Sequence, residues 1–308
     1  MAEGRNQAQA AEALYSKEKR MLDRLGLPLD LLNKKLWLFD MDGTIYQEDR
    51  LFDGTLDLLY TIRQMGGHYV FITNNSSKSV DDYVAKVNGM GIAAGKKEFF
   101  TSTNATVQML LQKHPGARVY CQGTGSLVKE LQAAGISVTE AVEAVDVVLI
   151  GFDLELTSQK LRNTCQILTE QPNVAFYATN PDLVCPVSFG FVPDCGSICA
   201  MLQNATGRSP VYIGKPEPTM VKLVMERFGY PPEQTVVVGD RAYTDIASGV
   251  RAGVSTIGVL SGEATEADFR AGPCPSYVFQ NVREIQRALQ ELLAQATGDG
   301  GSHLVTSH

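Results

Sequence analysis

The sequence predicts an α/β fold in which a mostly parallel sheet is covered by helices and a second, smaller α/β unit is inserted. Short apolar runs alternate with helix-like segments, which is typical of strands joined by crossover helices. The alternation restarts near Pro115 and returns to its first style after Pro210. We therefore predict three parts, which are an N-terminal helical extension at 1–30, a core domain at 31–112 and 209–308, and an inserted domain at 113–208.

The first half of the core domain is predicted from apolar runs and from glycines that end helices. "LWLF" at 36–39 is apolar throughout, which is typical of a strand buried on both faces of a sheet. The segment after it indicates a helix that stops at a glycine pair. β-branched and aromatic residues predict a strand in "HYVFIT" at 68–73. Two further helices are expected at 79–92 and 101–114, and the second begins with hydroxyl residues that suit a cap.

The inserted domain and the second half of the core domain continue this alternation. In the inserted domain we expect strands in "ARVYCQG", "AVDVVLIGFD" and "VAFYATNPD", and helices in "TGSLVKELQAAG", "TSQKLRNTCQILTEQ" and "GSICAMLQNATG". The core domain then resumes with strands in "VYIGKP", "QTVVVGD" and "VSTIGVLSG", and with helices in "EPTMVKLVMERFG" and "DIASGVRAG". A last strand and helix are expected in "SYVFQNVREIQRALQELLAQ".

Composition and charge argue against several classes of protein. The 308 residues are 44% hydrophobic and carry a net charge of −7, which gives no general attraction to nucleic acid or anionic membranes. No apolar stretch approaches the roughly 18 residues of a membrane span, and the N-terminus lacks the apolar core of a secretory signal. The six cysteines lack the paired spacing of a zinc site. We expect a cytoplasmic protein with reduced thiols and no nucleic-acid or membrane partner, and we leave open a homodimer formed through the inserted domain.

Polar side chains follow four of the predicted core strands, at the point where each strand ends. In extended backbone, side chains two residues apart point to the same side, which brings two acids together after the first strand. Ligands bind outside the carboxyl ends of the strands in an open parallel sheet, so we expect the four ends to meet in one crevice. The residues in question are Asp40 and Asp42, then Thr73, Asn74 and Asn75, then Lys215, and finally Asp240 and Asp245.

The residue types at these strand ends indicate phosphoryl transfer. Carboxylate oxygens are hard ligands that suit Mg²⁺, and Mg²⁺ also binds substrate phosphate. Lys215 and Thr73 would hold phosphate oxygens, and an aspartate carboxylate can act as a nucleophile towards phosphorus. Two residues have an equally simple interpretation as helix caps, namely Asn75 in "TNNSS" and Asp245 before "IASGVRAG". The sequence leaves both interpretations open.

Four ordered motifs resemble those of a known family. "DMDGT" (40–44), "FITNN" (71–75), "GKP" (214–216) and "GDRAYTD" (239–245) are similar to the motifs of the haloacid dehalogenase (HAD) superfamily. The inserted unit, with "ATNPD" and "CGSIC", resembles that of the NagD-like, p-nitrophenyl phosphatase-like branch, subfamily IIA. The resemblance spans Leu36 to Leu289. It implies a Rossmann-like parallel sheet core, the HAD fold, with a C2-type α/β cap inserted between the second and third motifs.

This resemblance implies a role for each residue at the strand ends. Asp40 matches the nucleophile, and Asp42 matches the acid/base that protonates the leaving oxygen and then deprotonates water. Lys215 matches the lysine that offsets charge on the nucleophile and the phosphate. The residues expected to bind phosphate are Thr73, Asn74, Asn75 and Lys215. The expected Mg²⁺ ligands are Asp40, Asp42 through its main-chain carbonyl, and Asp240, with Asp245 supporting this metal shell or Lys215.

The function implied is a Mg²⁺-dependent phosphatase that hydrolyses small-molecule phosphomonoesters through an aspartyl-phosphate intermediate. Two alternatives stay open, which are a phosphotransferase with an alcohol acceptor and a non-catalytic phosphate-binding module. Members of this branch that act on pyridoxal phosphate are similar in carrying a histidine at about the position of Cys185. The cysteine in this sequence therefore argues against vitamin B6 phosphate as the main substrate. Candidates for leaving-group contacts in the cap, each equally suited to a turn or a helix cap, are Asn180, Asp182, Cys185, Asp194 and Ser197.

Overall fold

The computed structural model describes residues 28–187 and 189–298 of the chain. The predicted N-terminal helix within 1–30 lies outside the described residues, apart from a short 3₁₀ turn at Leu29–Asn33. By the contacts between residues, the described chain forms two compact units. Unit 1 holds the residues up to Phe71, Met90–Ile92 and the residues from Met225 onward, and unit 2 holds Ile72–Gly89 and Ala93–Val224. The domain boundaries inferred from the sequence stay a prediction.

Strands and helices alternate along the described chain, which confirms the predicted α/β class. The strands are β1 (Leu36–Phe39), β2 (Tyr46–Gln47), β3 (Arg50–Leu51), β4 (His68–Thr73), β5 (Phe99–Thr101), β6 (Arg118–Gln122), β7 (Ser137–Thr139), β8 (Val147–Ile150), β9 (Ala175–Ala178), β10 (Val184–Val187), β11 (Gly190–Pro193), β12 (Val211–Tyr212), β13 (Thr235–Gly239), β14 (Ser255–Val259) and β15 (Tyr277–Phe279). The helices are α1 (Thr55–Gln64), α2 (Val80–Gly89), α3 (Ser102–Lys113), α4 (Gly125–Ala133), α5 (Ser158–Glu170), α6 (Cys195–Thr206), α7 (Thr219–Phe228), α8 (Ala247–Ala252), α9 (Glu266–Ala271) and α10 (Val282–Gly298).

The larger sheet has six strands within the described residues, in the order β15-β14-β13-β1-β4-β5. Its central strand β1 runs parallel to both neighbours, with Phe39 opposite Val238 of β13 and opposite Phe71 of β4. Every residue of β1 and β13 is buried, as expected for parallel strands covered on both faces. The carboxyl ends of β1 and β13 therefore leave the same edge of the sheet, and they carry Asp40 and Asp240.

Unit 2 contains a second parallel sheet, whose five strands within the described residues have the order β12-β9-β8-β6-β7. Its apolar core combines side chains from the strands with side chains from α5 and α6. Val148, Ile167, Phe176 and Leu202 are representative members of this core, and all are buried. The predicted second, smaller α/β sheet is confirmed.

One strand belongs to a different sheet from the one predicted. We expected "VYIGKP" to join β1, β4 and β13, but β12 pairs in parallel with β9, with Tyr212 opposite Ala178. The prediction was wrong because a strand of two residues has too few side chains to show which sheet covers it. Lys215 therefore follows a strand of the five-stranded sheet.

Several short elements were not predicted from the sequence. They are the β2–β3 hairpin, β5, β7, the β10–β11 hairpin and helix α9, each between two and six residues long. A strand of two to four residues covers too few periods for alternation of side chains to be visible. Among the described residues, no helix combines the length and the apolar character needed to cross a membrane.

Candidate active site

Three carboxylates lie together at the carboxyl edge of the six-stranded sheet. Asp40 follows β1, and its N–H donates to the Val238 carbonyl of β13 at 2.9 Å. Asp240 follows β13, and Asp245 lies in a π-helical turn at Ala242–Ile246. One carboxylate oxygen from each of the three aspartates lies within 4.8 Å of the others. Asp40 and Asp240 are close together because they follow adjacent parallel strands. The π-helical turn places Asp245 beside them.

The carboxylates of the cluster repel one another, and a bound cation or a shared proton would reduce this repulsion. Asp240 is 2% exposed and Asp245 is fully buried, so little water screens their charges. Burial, together with the charges of Asp40 and Asp245, raises the pKa of Asp240 to about 7, although the Glu263 N–H and Arg241 act in the opposite direction. Hard carboxylate oxygens at this spacing suit Mg²⁺, which would offset the repulsion. The donor set therefore fits the metal that the resemblance implies.

The loops around Asp240 approach its carboxylate closely. Gly43, at φ +80°, and Gly262 carry no side chain, and a Cβ at either position would overlap the Asp240 carboxylate. The Glu263 N–H donates to Asp240 Oδ2 at 2.8 Å, and the Thr44 hydroxyl donates to Oδ1 at 3.2 Å. Both oxygens of Asp240 are thus oriented by hydrogen bonds within unit 1.

Replacing Gly262 with alanine tests this close approach. We expect Gly262→Ala to weaken Mg²⁺ binding about tenfold or more, because the new methyl group must displace the Asp240 carboxylate and misoriented ligands bind metal poorly. Isothermal titration with Mg²⁺ measures the affinity without turnover. Gly89→Ala is the matched control, since a Cβ there meets nothing within 4 Å. An unchanged Mg²⁺ affinity in Gly262→Ala would show that Asp240 is not a ligand.

Asp42 stands apart from the three carboxylates. Its side chain is exposed, and it is not part of the carboxylate group that the described residues form. The chain turns directly behind it, where the Gly43 N–H donates to the Tyr46 carbonyl at 2.8 Å. An exposed carboxylate can exchange protons with water and with a bound substrate, which is the property that an acid/base residue needs.

Unit 2 brings Asn74 and Lys215 into direct contact. Lys215 is 2% exposed, and its Nζ donates to the Ile72 carbonyl at 3.3 Å. The Asn74 side chain brackets the backbone of Lys215, because its Oδ1 accepts from the Lys215 N–H and its Nδ2 donates to the Lys215 carbonyl, both at 2.8 Å. Asn74 Nδ2 also donates to Asp182 Oδ2 at 2.9 Å. The side-chain amide of Asn74 is therefore occupied by protein groups.

Thr73 and Asn75 form a turn directly after β4. The Asn75 N–H donates to the Thr73 hydroxyl oxygen at 3.2 Å. Asn75 Oδ1 accepts from the N–H and from the hydroxyl of Ser77, both at 2.8 Å. Asn75 thus stabilises a local turn and does not cap α2, which begins only at Val80.

The structure adds two residues that the sequence analysis did not assign. Arg241 forms an ion pair with Glu263, with Nε 2.9 Å from Oε2. Although burial opposes its charge, Asp40 and the other nearby acids raise the pKa of Arg241 above its usual range. The main-chain N–H of Arg241 also donates to Asp245 Oδ2 at 3.1 Å, so the Asp245 carboxylate binds the backbone at the start of the π-helical turn. The only sequence signal for Arg241 was its position after Asp240, which does not show where its side chain points.

Family models and a curated relative match this chain. Residues 37–137 match the model for haloacid dehalogenase-like hydrolases, and residues 212–285 match a second model for HAD-hydrolase-like proteins. An acid sugar phosphatase of Staphylococcus saprophyticus is 33% identical over 260 residues, which cover 84% of this chain and 99% of that protein. Similarity at this coverage and identity shows common family membership.

Solved structures give the same result. A 4-nitrophenylphosphatase from Thermotoga maritima aligns with a TM-score of 0.80 and 38% identity, over 85% of this chain and 99% of that one. NagD from Escherichia coli K-12 aligns with a TM-score of 0.74 and 31% identity, over 82% and 98% of the two chains. The chain therefore belongs to the haloacid dehalogenase superfamily, in its NagD-like branch, subfamily IIA, and is a hydrolase of the phosphatase type.

Proposed function

We propose that the protein is a Mg²⁺-dependent phosphatase that hydrolyses small-molecule phosphomonoesters through an aspartyl-phosphate intermediate. The observation that carries this proposal is the cluster of Asp40, Asp240 and Asp245, whose carboxylate oxygens lie within 4.8 Å of one another. Membership of a family that includes an acid sugar phosphatase and a 4-nitrophenylphosphatase supports it. A cluster of hard oxygen donors that includes the proposed nucleophile suits metal-assisted phosphoryl transfer.

The metal would be held by the acids of the six-stranded sheet. The ligands proposed are the Asp40 carboxylate, the main-chain carbonyl of Asp42 and the Asp240 carboxylate, with Asp245 supporting the shell through its contact with the Arg241 N–H. Bound Mg²⁺ would supply positive charge against the negative charge of the transferring phosphoryl group. Glu263 and Thr44 orient Asp240 for this role through their hydrogen bonds.

Asp40 and Asp42 would carry the covalent chemistry. An Asp40 carboxylate oxygen attacks phosphorus, so that a bond from Asp40 to phosphorus forms while the bond from phosphorus to the substrate's alcohol oxygen breaks. Asp42 gives its proton to the departing oxygen. It then takes a proton from a water molecule, whose oxygen attacks phosphorus and releases inorganic phosphate. Asp40 is thereby restored as a carboxylate.

The phosphate-binding role would fall to residues that follow β4 and β12. Lys215 would offset negative charge on the phosphoryl oxygens, and the Thr73 hydroxyl would donate to one of them. Asn75 uses its Oδ1 within the turn, so its Nδ2 is the group proposed to contact phosphate. Because the side-chain amide of Asn74 is occupied, we propose that Asn74 supports the phosphate site by holding Lys215.

The substrate proposed is a sugar phosphate or a comparable small ester. Similarity to an acid sugar phosphatase favours this class, and Cys185 in place of a histidine speaks against pyridoxal phosphate. All six cysteines are free thiols, which supports a reducing, cytoplasmic location. Dimerisation through the cap stays a prediction.

Phosphate release from a substrate panel tests the proposal. We expect release from p-nitrophenyl phosphate and from sugar phosphates with Mg²⁺, and loss of that release with EDTA, because the acid cluster then lacks its cation. Readdition of Mg²⁺ should restore the rate. A folded, Mg²⁺-loaded protein that releases no phosphate from any ester would overturn the proposal. Phosphate appearing on an added alcohol, in place of free phosphate, would instead identify a phosphotransferase.

A further inference from the structure

A chain of buried polar side chains in unit 2 ends on the backbone of Lys215. Asp182 follows β9 in the "TNPD" segment and is 7% exposed. Its Oδ2 accepts from Asn74 Nδ2 at 2.9 Å and from Asn180 Nδ2 at 3.0 Å. Asn74 contacts Lys215 at both the N–H and the carbonyl. A single side chain therefore separates the Asp182 carboxylate from the proposed catalytic lysine.

The Asp182 carboxylate and the Lys215 backbone require the same orientation of the Asn74 amide. The two ends of an asparagine amide have nearly the same shape and differ mainly in donating or accepting hydrogen bonds. An ionised carboxylate only accepts, so the end of Asn74 beside Asp182 must be the NH₂ group. The other end is then Oδ1, which is what the Lys215 N–H needs. A reversed amide would place Oδ1 beside the Asp182 carboxylate and beside the Lys215 carbonyl, and it would place the NH₂ group beside the Lys215 N–H. Each of these mismatches is costly.

Burial of the Asp182 carboxylate at this position also lowers the stability of the fold. Asp182 Oδ1 is shielded from solvent and has no hydrogen-bond partner among the described residues. A buried polar atom without a partner lowers the stability of the fold. Asp153, a buried acid of the same unit, differs in that both of its oxygens accept from Lys160 Nζ, at 3.1 and 2.9 Å. Burial of Asp182 is thus compensated at Oδ2 and uncompensated at Oδ1.

We propose that Asp182 is a positioning residue for Lys215 and acts through Asn74. Its hydrogen bond anchors the Asn74 amide in the orientation that the Lys215 N–H and carbonyl also require. The Lys215 backbone is then held at two points, and its ammonium group is kept in one position. Asp182 should therefore affect the stability of the transition state and not the binding of substrate, because Lys215 offsets the charge of the transferring phosphoryl group. This inference rests on the proposed function.

Two substitutions of Asp182 separate positioning from substrate contact. We expect Asp182→Ala to lower kcat about tenfold or more, because a small displacement of a catalytic group has a large effect on rate, while KM stays within about twofold. Asp182→Asn keeps an oxygen that can accept from Asn74 Nδ2, so kcat should stay within about threefold of the native value. Asp182→Leu fills the site without an acceptor and replaces Asp182→Ala if that variant does not fold.

A double-mutant cycle tests whether the effect passes through Asn74. Asn74→Ala should slow turnover, and the double variant Asn74→Ala/Asp182→Ala should be no slower than Asn74→Ala alone, because both remove one connected contact. Asp153→Ala is the control, because Asp153 is another buried acid of unit 2. It should lower the melting temperature by loss of the Lys160 pair and leave kcat unchanged.

Each contrary result has a definite meaning. The proposal is overturned by native kcat in Asp182→Ala, by additive rate losses in the cycle, or by a raised KM with unchanged kcat. An Asp182→Asn variant as slow as Asp182→Ala also overturns it, since the charge and not the orientation would then matter. A native protein without Mg²⁺-dependent phosphate release removes the proposed function and this inference together. An active native protein with an unaffected Asp182→Ala removes the inference alone.

Discussion

Asp40→Asn is expected to abolish phosphate release, with a loss of at least about 10⁴-fold in kcat, the scale seen when a nucleophile is removed. The amide has nearly the shape of the carboxylate but does not attack phosphorus. Asp40 also belongs to a group of three clustered carboxylates, so the substitution removes one repelling charge. The melting temperature should therefore not fall, and the loss of rate would report chemistry and not unfolding.

The measurement combines turnover with trapping of the intermediate. Substrate labelled on phosphorus is mixed with enzyme and quenched in acid, which preserves an acyl phosphate. Label should remain on the native protein and be absent from Asp40→Asn. The matched control is Asp57→Asn, which replaces an exposed aspartate on α1. Its turnover and its retained label should equal those of the native enzyme. Turnover by Asp40→Asn at the native rate would eliminate the covalent mechanism.

Lys215→Ala is expected to lower kcat about 10²- to 10³-fold, the range found when one preorganised electrostatic group is deleted. Lys215 is buried, so water cannot readily replace its charge. The backbone clamp by Asn74 uses only the N–H and carbonyl of residue 215, and both survive the substitution. The variant should therefore keep its local backbone and lose mainly the ammonium group.

Steady-state kinetics on p-nitrophenyl phosphate measure this effect. Lys222→Ala removes an exposed lysine from α7 and should change kcat by less than about twofold, as surface substitutions usually do. A change below about threefold in Lys215→Ala would mean that Lys215 lies outside the catalytic machinery.

The acids of the first motif illustrate what a sequence can reveal about a site. Asp40 directly follows an apolar run and Asp42 lies two residues further on, so both the strand and its polar end are visible within a few residues. The pairing of β1 with β13 confirmed that Asp40 and Asp240 leave the same edge of the sheet. The assignment of Lys215 to that sheet was wrong, because β12 contains only two residues and pairs with β9.

Contacts between distant residues were not predictable in the same way. Asn74 and Asp182 are 108 positions apart, and nothing in "TNNSS" or "TNPD" indicates that one amide joins them to Lys215. Arg241 could have faced solvent or the acid cluster, and only the fold shows its ion pair with Glu263. Asn and Arg side chains have many donors and several possible partners, and burial selects among them.

The sequence by itself determined the α/β class, the alternation of strands and helices, and the motifs that identify the family. These properties are encoded in local periodicity and in contiguous residues, which need no knowledge of packing. Only the tertiary structure decided which sheet receives β12, which three acids share one cluster, and that the Asn74 amide holds the backbone of Lys215. Those outcomes depend on how separate elements pack, because a buried polar group must bond with whichever partner packing leaves within reach.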